Sequence, residues 1–155
     1  MRVAVITISD RAARGDYEDL SGPEIERELL ALYPSAVVAR RVVPDEPGDI
    51  LEALESQAEA DFILTTGGTG LSPRDVTPEV TMRFCEKEIP GIAEALRARS
   101  ILETPAAMLS RGFAGMRGST VVVNFPGSPK AVRLCMQLLG PVMEHALRMI
   151  RAEGH

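Results

Sequence analysis

The stretch Thr65-Thr66-Gly67-Gly68-Thr69-Gly70-Leu71-Ser72-Pro73-Arg74-Asp75-Val76-Thr77-Pro78-Glu79 decides how the chain folds. It closes the run Asp61–Thr66, which is nearly apolar until its threonines. Such a run predicts a strand buried on both faces, as central parallel strands are. Behind it, Pro78 suits a first helical position, with Thr77 as the expected cap. Between the two lie three glycines in four positions. Glycine admits positive φ and lets a backbone approach a ligand closely, and successive amides there form an anion nest. This is no Walker A loop, because no Gly-Lys-Ser/Thr follows. It is no dinucleotide fingerprint either: Gly68 and Gly70 match its first two glycines, but Pro73 stands where the third belongs. Read by itself, the stretch also fits a tight strand-to-helix turn that merely needs glycine.

Outward from this turn, apolar runs and helical patterns alternate from end to end, which is the signature of a layered α/β domain. Val3–Ile8, Ala36–Val43 and Thr120–Phe125 read as further strands. Ser21-Gly-Pro-Glu24 reads as a capping box, opening a helix with Ile25, Leu29, Leu32 and Tyr33 on one face. Pro47 opens another, with Ile50, Leu51, Leu54 and Ala58 as its buried stripe. The helix after Thr77 is expected to run to about Glu88, where Pro90-Gly91 breaks it, and a further helix runs to about Leu102. Met108 to Arg117 is ambiguous, part of it extended. Ser128 and Pro129 cap a long last helix, expected to be interrupted or kinked at Gly140-Pro141.

The chain has 155 residues, the size of one domain, with 45% apolar and 25% charged residues. We take residues 1–155 as a single domain. Its apolar runs are far shorter than the roughly 20 residues of a membrane span. The first run is too short for a signal peptide's core, so a cytoplasmic protein is expected, with no membrane partner. The formal net charge is −5, without a basic block or aromatic platform, which argues against nucleic acid as a partner. Cys85 and Cys135 lack metal-ligand spacing and read as buried reduced thiols in helices. His145 and His155 lie near no nucleophile and are assigned no chemistry.

Four polar turns follow strands and precede helices: Ser9-Asp10, Pro44-Asp45, Gly67–Asp75 and Pro126–Lys130. In open parallel sheets, ligands bind outside the carboxyl ends of the strands, so the four converge if the sheet is parallel there. Arg74 can grip phosphate with its planar fork, or be a solvated surface charge. Asp75 is a hard oxygen donor of the kind magnesium takes in phosphate sites, or a turn aspartate. Asp45, before a helix-opening proline, is equally an ordinary cap. If the second and third strands end on one edge, Asp45 and Asp75 can approach one cation from two sides. Gly127 allows the last turn, and Ser128 with the open amides behind it suits an anion. Lys130 at a helix N-terminus opposes the helix dipole; it and Lys87 are the only lysines in the chain. In the first loop only Ser9, Asp10 and Arg11 are expected to touch a ligand.

The 65–79 string resembles the signature of the molybdopterin adenylyltransferase family, which includes MogA and the G domains of Cnx1 and gephyrin. The resemblance extends to Ile8-Ser9-Asp10-Arg11-Ala12, Pro44-Asp45-Glu46, Glu88-Ile89-Pro90-Gly91, Met108-Leu109-Ser110-Arg111 and Asn124 to Lys130, and so covers nearly the whole chain. It implies a three-layer α/β/α fold with a mostly parallel sheet, and a homotrimer. It implies Mg2+-dependent transfer of an adenylyl group from ATP to the terminal phosphate of molybdopterin, releasing pyrophosphate, with handover to a molybdenum-inserting enzyme. It places the catalytic and metal-holding acids at Asp45 and Asp75, and a ligand-contacting serine at Ser110. It carries Thr66, Gly67, Gly68, Thr69, Gly70, Arg74, Thr77, Glu79, Pro126, Gly127, Ser128 and Lys130 over as nucleotide and pterin contacts. Sister MoaB-type proteins share the fold and Gly-Gly-Thr-Gly but depart from the Asp-Arg-Ala, Pro-Asp-Glu and Pro-Arg-Asp segments. A MoaB-type trimer that binds pterin or nucleotide without turnover is the alternative.

Overall fold

Every residue of Phe62–Thr66 is buried, because this strand has sheet neighbours on both edges and helices over both faces. The computed structural model describes residues 1–152. Among these, six strands form one sheet: β1 (Arg2–Ile8), β2 (Val37–Val43), β3 (Phe62–Thr66), β4 (Lys87–Glu88), β5 (Ala114–Arg117) and β6 (Thr120–Phe125). Their spatial order is β2-β1-β3-β6-β5-β4. The first four of that order are mutually parallel, and β5 and β4 continue the sheet antiparallel.

The helices are α1 (Asp10–Ala13), α2 (Ser21–Leu32), α3 (Pro47–Ser56), α4 (Thr77–Phe84), α5 (Pro90–Ile101) and α6 (Pro129–Ile150), with a 3-10 helix at Pro105–Leu109. The period-2 alternation of the strands sorts the core into two layers. Val3, Val5, Phe62, Leu64, Val121 and Val123 pack with Ile25 and Leu29 of α2, Leu96 of α5 and Met136 and Met143 of α6. Ala4, Ile6, Ile8, Ile63 and Val122 pack with Ile50 and Leu54 of α3 and with Val80 and Phe84 of α4. The result is the three-layer α/β/α arrangement expected from the sequence. No helix among the described residues is long and apolar enough to cross a membrane.

Several local expectations are corrected. Ser21 does not cap α2. Asp19 does, its Oδ1 accepting from the backbone N–H of Ser21 and Gly22 at 3.1 and 3.0 Å, which frees the Ser21 hydroxyl to donate to the Gly127 carbonyl at 2.7 Å. Thr77 is the first residue of α4 and not its cap. That helix stops at Phe84, and Lys87–Glu88 pair with Met116 and Gly115 as a strand. Charged residues suit such a sheet edge, where they discourage pairing with other chains. Pro141 does not interrupt α6, which runs 22 residues. Packing against α2 outweighs the one lost hydrogen bond, and the Tyr33 hydroxyl donates to the Gly140 carbonyl at 2.7 Å across that contact. The ambiguous stretch divides into the end of the 3-10 helix and β5.

Both cysteines are free; Cys135 is buried in α6, whereas Cys85 follows the end of α4 and is half-buried. Burial pushes the Cys135 thiol up to about 12 and that of Cys85 up to about 11. His155 lies outside the described residues.

Truncating Leu64, wholly buried in β3, to alanine is expected to lower the unfolding free energy by about 2–5 kcal/mol. Val37→Thr on the exposed edge strand should stay within about 0.5 kcal/mol. Urea denaturation checks both.

Candidate functional site

From β1 the chain goes out through α2 to β2, then crosses the opposite face through α3 and pairs β3 on the other side of β1. The strand order therefore switches between β1 and β3, where open α/β sheets form their binding crevice. The glycine turn sits at this switch. Gly67 and Gly68 have φ of +98° and +63°, values that L side chains rarely adopt. A Cβ on Gly67 would collide with the Ile8 carbonyl at the end of β1, and one on Gly68 with the Thr77 hydroxyl. Only glycine lets the backbone lie this close to both neighbours.

The turn is tied on every side. Gly67 N–H donates to the Phe125 carbonyl at 3.2 Å, and the Thr66 hydroxyl donates to the Pro126 carbonyl at 2.7 Å. The Thr77 hydroxyl donates to the Gly67 carbonyl at 3.0 Å. Asn124, fully satisfied, donates to the hydroxyls of Thr65 and Thr81 at 2.9 and 3.0 Å and accepts from Phe113 N–H at 3.2 Å. It locks β3, β6, α4 and the segment before β5 together.

On one side of the turn opens a cleft of about 780 Å³. Its walls include Gly67, Gly68, Thr69, Gly70, Asp75, Ser110, Pro126, Gly127, Ser128 and Lys130, with Arg97, Ser100 and Glu103 from α5 and the residues after it. Antiparallel β5 brings Ser110 to this edge from the opposite chain direction. The Ser128 hydroxyl accepts from Ala131 N–H at 3.2 Å, so it caps α6. Lys130 is exposed, with Glu103 at 3.5 Å offsetting its unfavourable place at the helix start.

Asp45 adjoins the turn without lining this cleft. Its Oδ1 lies 3.3 Å from where a Cβ on Gly68 would stand, and Asp75 Oδ2 lies 2.9 Å from the same point on Gly70. The two aspartates thus stand beside one short turn. Asp10 and Asp45 hold each other reciprocally: Asp10 N–H donates to Asp45 Oδ2 at 2.7 Å and Asp45 N–H to Asp10 Oδ1 at 3.0 Å. Burial raises the Asp45 carboxyl above its ordinary value, and the negative charges of Asp10 and Asp75 raise it further against the N–H bond from Asp10. The hydrogen bond from Asp45 N–H, with help from Arg74, lowers Asp10.

Other expected contacts lie elsewhere. Arg74 is engaged by carboxylates, at 2.9 Å from Asp10 and 2.8 Å from Glu46. Ser9 caps α1. Arg11 stacks 5.0 Å from the Tyr17 ring centroid, and Glu79 pairs with Arg111. Arg97, Arg111 and Asn124 were not singled out from the sequence. Asn124 carried a signal, an amide in an apolar strand directly before the Pro-Gly-Ser turn.

This architecture defines a class: a doubly wound α/β domain with a glycine turn and paired acids at its topological switch. Residues 4–145 match the family described as "Probable molybdopterin binding domain", and the chain belongs to that family, whose members act in molybdenum cofactor biosynthesis. It is 34% identical to the molybdopterin adenylyltransferase of Helicobacter pylori J99, over 97% of this chain and 88% of that protein. It is 40% identical to the molybdenum cofactor synthesis protein cinnamon of Drosophila melanogaster, over 94% of this chain but 25% of that protein. Among solved structures, one of MogA superposes with a TM-score of 0.90 at 39% identity, covering 97% and 99% of the two chains. The molybdopterin biosynthesis enzyme MoaB of Thermus thermophilus superposes at 0.87 with 44% identity, covering 98% and 97%.

Because the folded state holds the Asp45 carboxyl above its unfolded value of 3.8, ionising it opposes folding. Asp45→Asn, which mimics the protonated form, is expected to raise the melting temperature at pH 7. The gain should shrink as pH falls through the raised value toward 3.8. Thermal unfolding across that range measures it.

Proposed function

We propose that this chain is a molybdopterin adenylyltransferase. The terminal phosphate of molybdopterin attacks the α-phosphorus of ATP. A new P–O bond forms, the bond to the β-phosphate breaks, and pyrophosphate leaves. The observation that carries this reading is the pair Asp45 and Asp75 beside a glycine turn that opens into a cleft large enough for two substrates. Support comes from the Helicobacter pylori relative of that name and a second, from Escherichia coli, 36% identical over 86% of this chain and 70% of that protein.

The donor set fits a hard divalent cation. Carboxylate oxygens are what magnesium prefers, and a cation relieves the repulsion that Asp10 and Asp75 impose on Asp45. Among the described residues no group of three or more His, Cys, Asp or Glu encloses an ion. Two aspartates would therefore hold magnesium together with substrate phosphates, as is usual for this metal. Bound there, magnesium supplies positive charge against phosphate oxygens and the leaving pyrophosphate. The chain's own part is to position and to stabilise charge. Amides of 68–70 cradle phosphate, and the Lys130 amide at the start of α6 receives the second anionic group with the Ser128 hydroxyl and the Lys130 ammonium. Ser110 contacts ligand from the opposite wall. The pterin phosphate is already ionised at neutral pH, so no side-chain nucleophile is required. The active form is a homotrimer in the cytoplasm.

The 44% identity to a structure named MoaB keeps a MoaB-type protein as the second reading, for which we propose a trimer that binds pterin or nucleotide without turnover. Purified protein mixed with ATP, magnesium and molybdopterin separates the two: pyrophosphate release is expected, and its absence from pterin-loaded protein selects the binding module. Asp45→Asn and Asp75→Asn should each stay folded and lose about 100-fold or more in turnover. A near-normal rate in either variant removes that residue from the metal role.

A further inference from the structure

Arg111 follows Ser110 in the chain, but Ser110 and Gly112 line the cleft and Arg111 does not. Its backbone N–H donates to the Thr69 carbonyl at 2.9 Å. Its Nε donates to the Gly70 carbonyl at 2.7 Å, and Nη2 donates to the Asp75 carbonyl at 2.5 Å. Nη1 donates to the Glu79 carboxylate, on the first turn of α4. One guanidinium therefore grips the residue before and the residue after the excursion Leu71–Arg74, and fastens both to a helix.

The excursion has little else to hold it. Leu71 is 64% exposed. Its internal bonds run from Asp75 N–H to the Ser72 carbonyl at 2.9 Å, from Arg74 N–H to the Ser72 hydroxyl oxygen at 3.2 Å and from Ser72 N–H to Asp75 Oδ2 at 2.9 Å. Those bonds set the Asp75 carboxylate relative to its own loop; they do not orient the loop relative to the sheet. Arg74, on the far side, forks onto Asp10 through Nε and Nη2 at 3.1 and 2.9 Å and reaches Glu46 through Nη1 at 2.8 Å, but it stands half exposed, where solvent screens the attraction. Arg111 is the stronger tether, because its N–H groups meet backbone carbonyls that have little freedom to move.

We propose that Arg111 is the positioning residue for Asp75: it pins both ends of the 70–75 excursion, so that the carboxylate stands beside the glycine turn, and it touches neither substrate. The catalytic value of that placement rests on the adenylyl-transfer reading; the placement itself does not. Geometry explains why arginine is needed. A planar fork reaches two carbonyls and a carboxylate at once, whereas lysine offers one compact charge on a flexible stem.

The test compares Arg111→Gln and the milder Arg111→Lys with the parent protein by amide hydrogen exchange. The same proteins are assayed for pyrophosphate release as magnesium is varied at saturating ATP and molybdopterin. In both variants the amides of β3 and β6 should keep their protection, while those of Ser72 and Asp75 exchange at least about 10-fold faster. Half-saturating magnesium should rise by about 10–100-fold in Arg111→Gln, with Arg111→Lys between it and the parent. Unchanged exchange at Ser72 and Asp75 in both variants overturns the proposal. So does a general loss of protection with no shift in the magnesium requirement, which is the mark of a merely structural arginine. A parent protein that releases no pyrophosphate defeats the functional reading instead, and the exchange comparison still decides the role of Arg111.

Discussion

The backbone at Gly67 lies against the carbonyl of Ile8, and the geometry of the cleft descends from that approach. A side chain at either Gly67 or Gly68 would collide with its surroundings, so the turn could not settle into the switch between β1 and β3. With glycine there, β3 ends against β1 on one side and β6 on the other. The next residues then fall between the segments leaving all three strands. Hydrogen bonds from Gly67 N–H, Thr66 and Thr77 convert this proximity into a fixed shape. What would otherwise be loops on a surface becomes one knitted ledge.

Charge is arranged on that ledge at a cost to the fold. Asp10, Asp45 and Asp75 gather within mutual influence, and Asp45 bears the consequence as a carboxyl whose ionised form is disfavoured. Asp10 escapes, because the Asp45 N–H and Arg74 both stabilise its charge. Arrangements of this kind recur where proteins hold like charges in readiness for a charged ligand. The rigid elements beneath, β3 and β6 joined through Asn124, keep the carboxylates from relaxing apart.

The fold was largely legible because its strongest signals were periodic. Thr120–Phe125 coincided with a strand to the residue, and β3 differed by one residue. Misreadings fell where tertiary contacts override local preference. Lys87 and Glu88 carry helix-forming side chains, yet β5 offers them a strand partner, and no local pattern announces a partner nearly thirty residues away. The Gly140-Pro141 pair reads as an interruption or a kink, and α6 is not interrupted, because its buried face packs on α2 and the sheet. Ser21 looked like a cap because its spacing to Glu24 is ideal, but Asp19 reaches the same amides and binds them with a full charge. At the site, the turns that form the ledge were readable as strand ends. The partners of Arg74 were not, because a guanidinium suits a phosphate and a carboxylate equally well. Arg111 escaped notice because its targets are mostly backbone carbonyls, which every sequence possesses.

The reversal at β5 bears on when the ledge comes into being during synthesis. Four of its segments leave strands, but Ser110–Gly112 arrives at one, and Phe113, which follows it, is held by Asn124, which is made later. Until β6 emerges, β3 has one naked edge and the Gly67 amide has no carbonyl from Phe125 to meet. A nascent chain halted before Thr120 would already contain both aspartates and all three glycines of the turn, but no mould to set them in. Assembly of the cleft therefore waits for β6 and the turn after it, and ribosomes that stall before them yield fragments without a preformed place for a ligand.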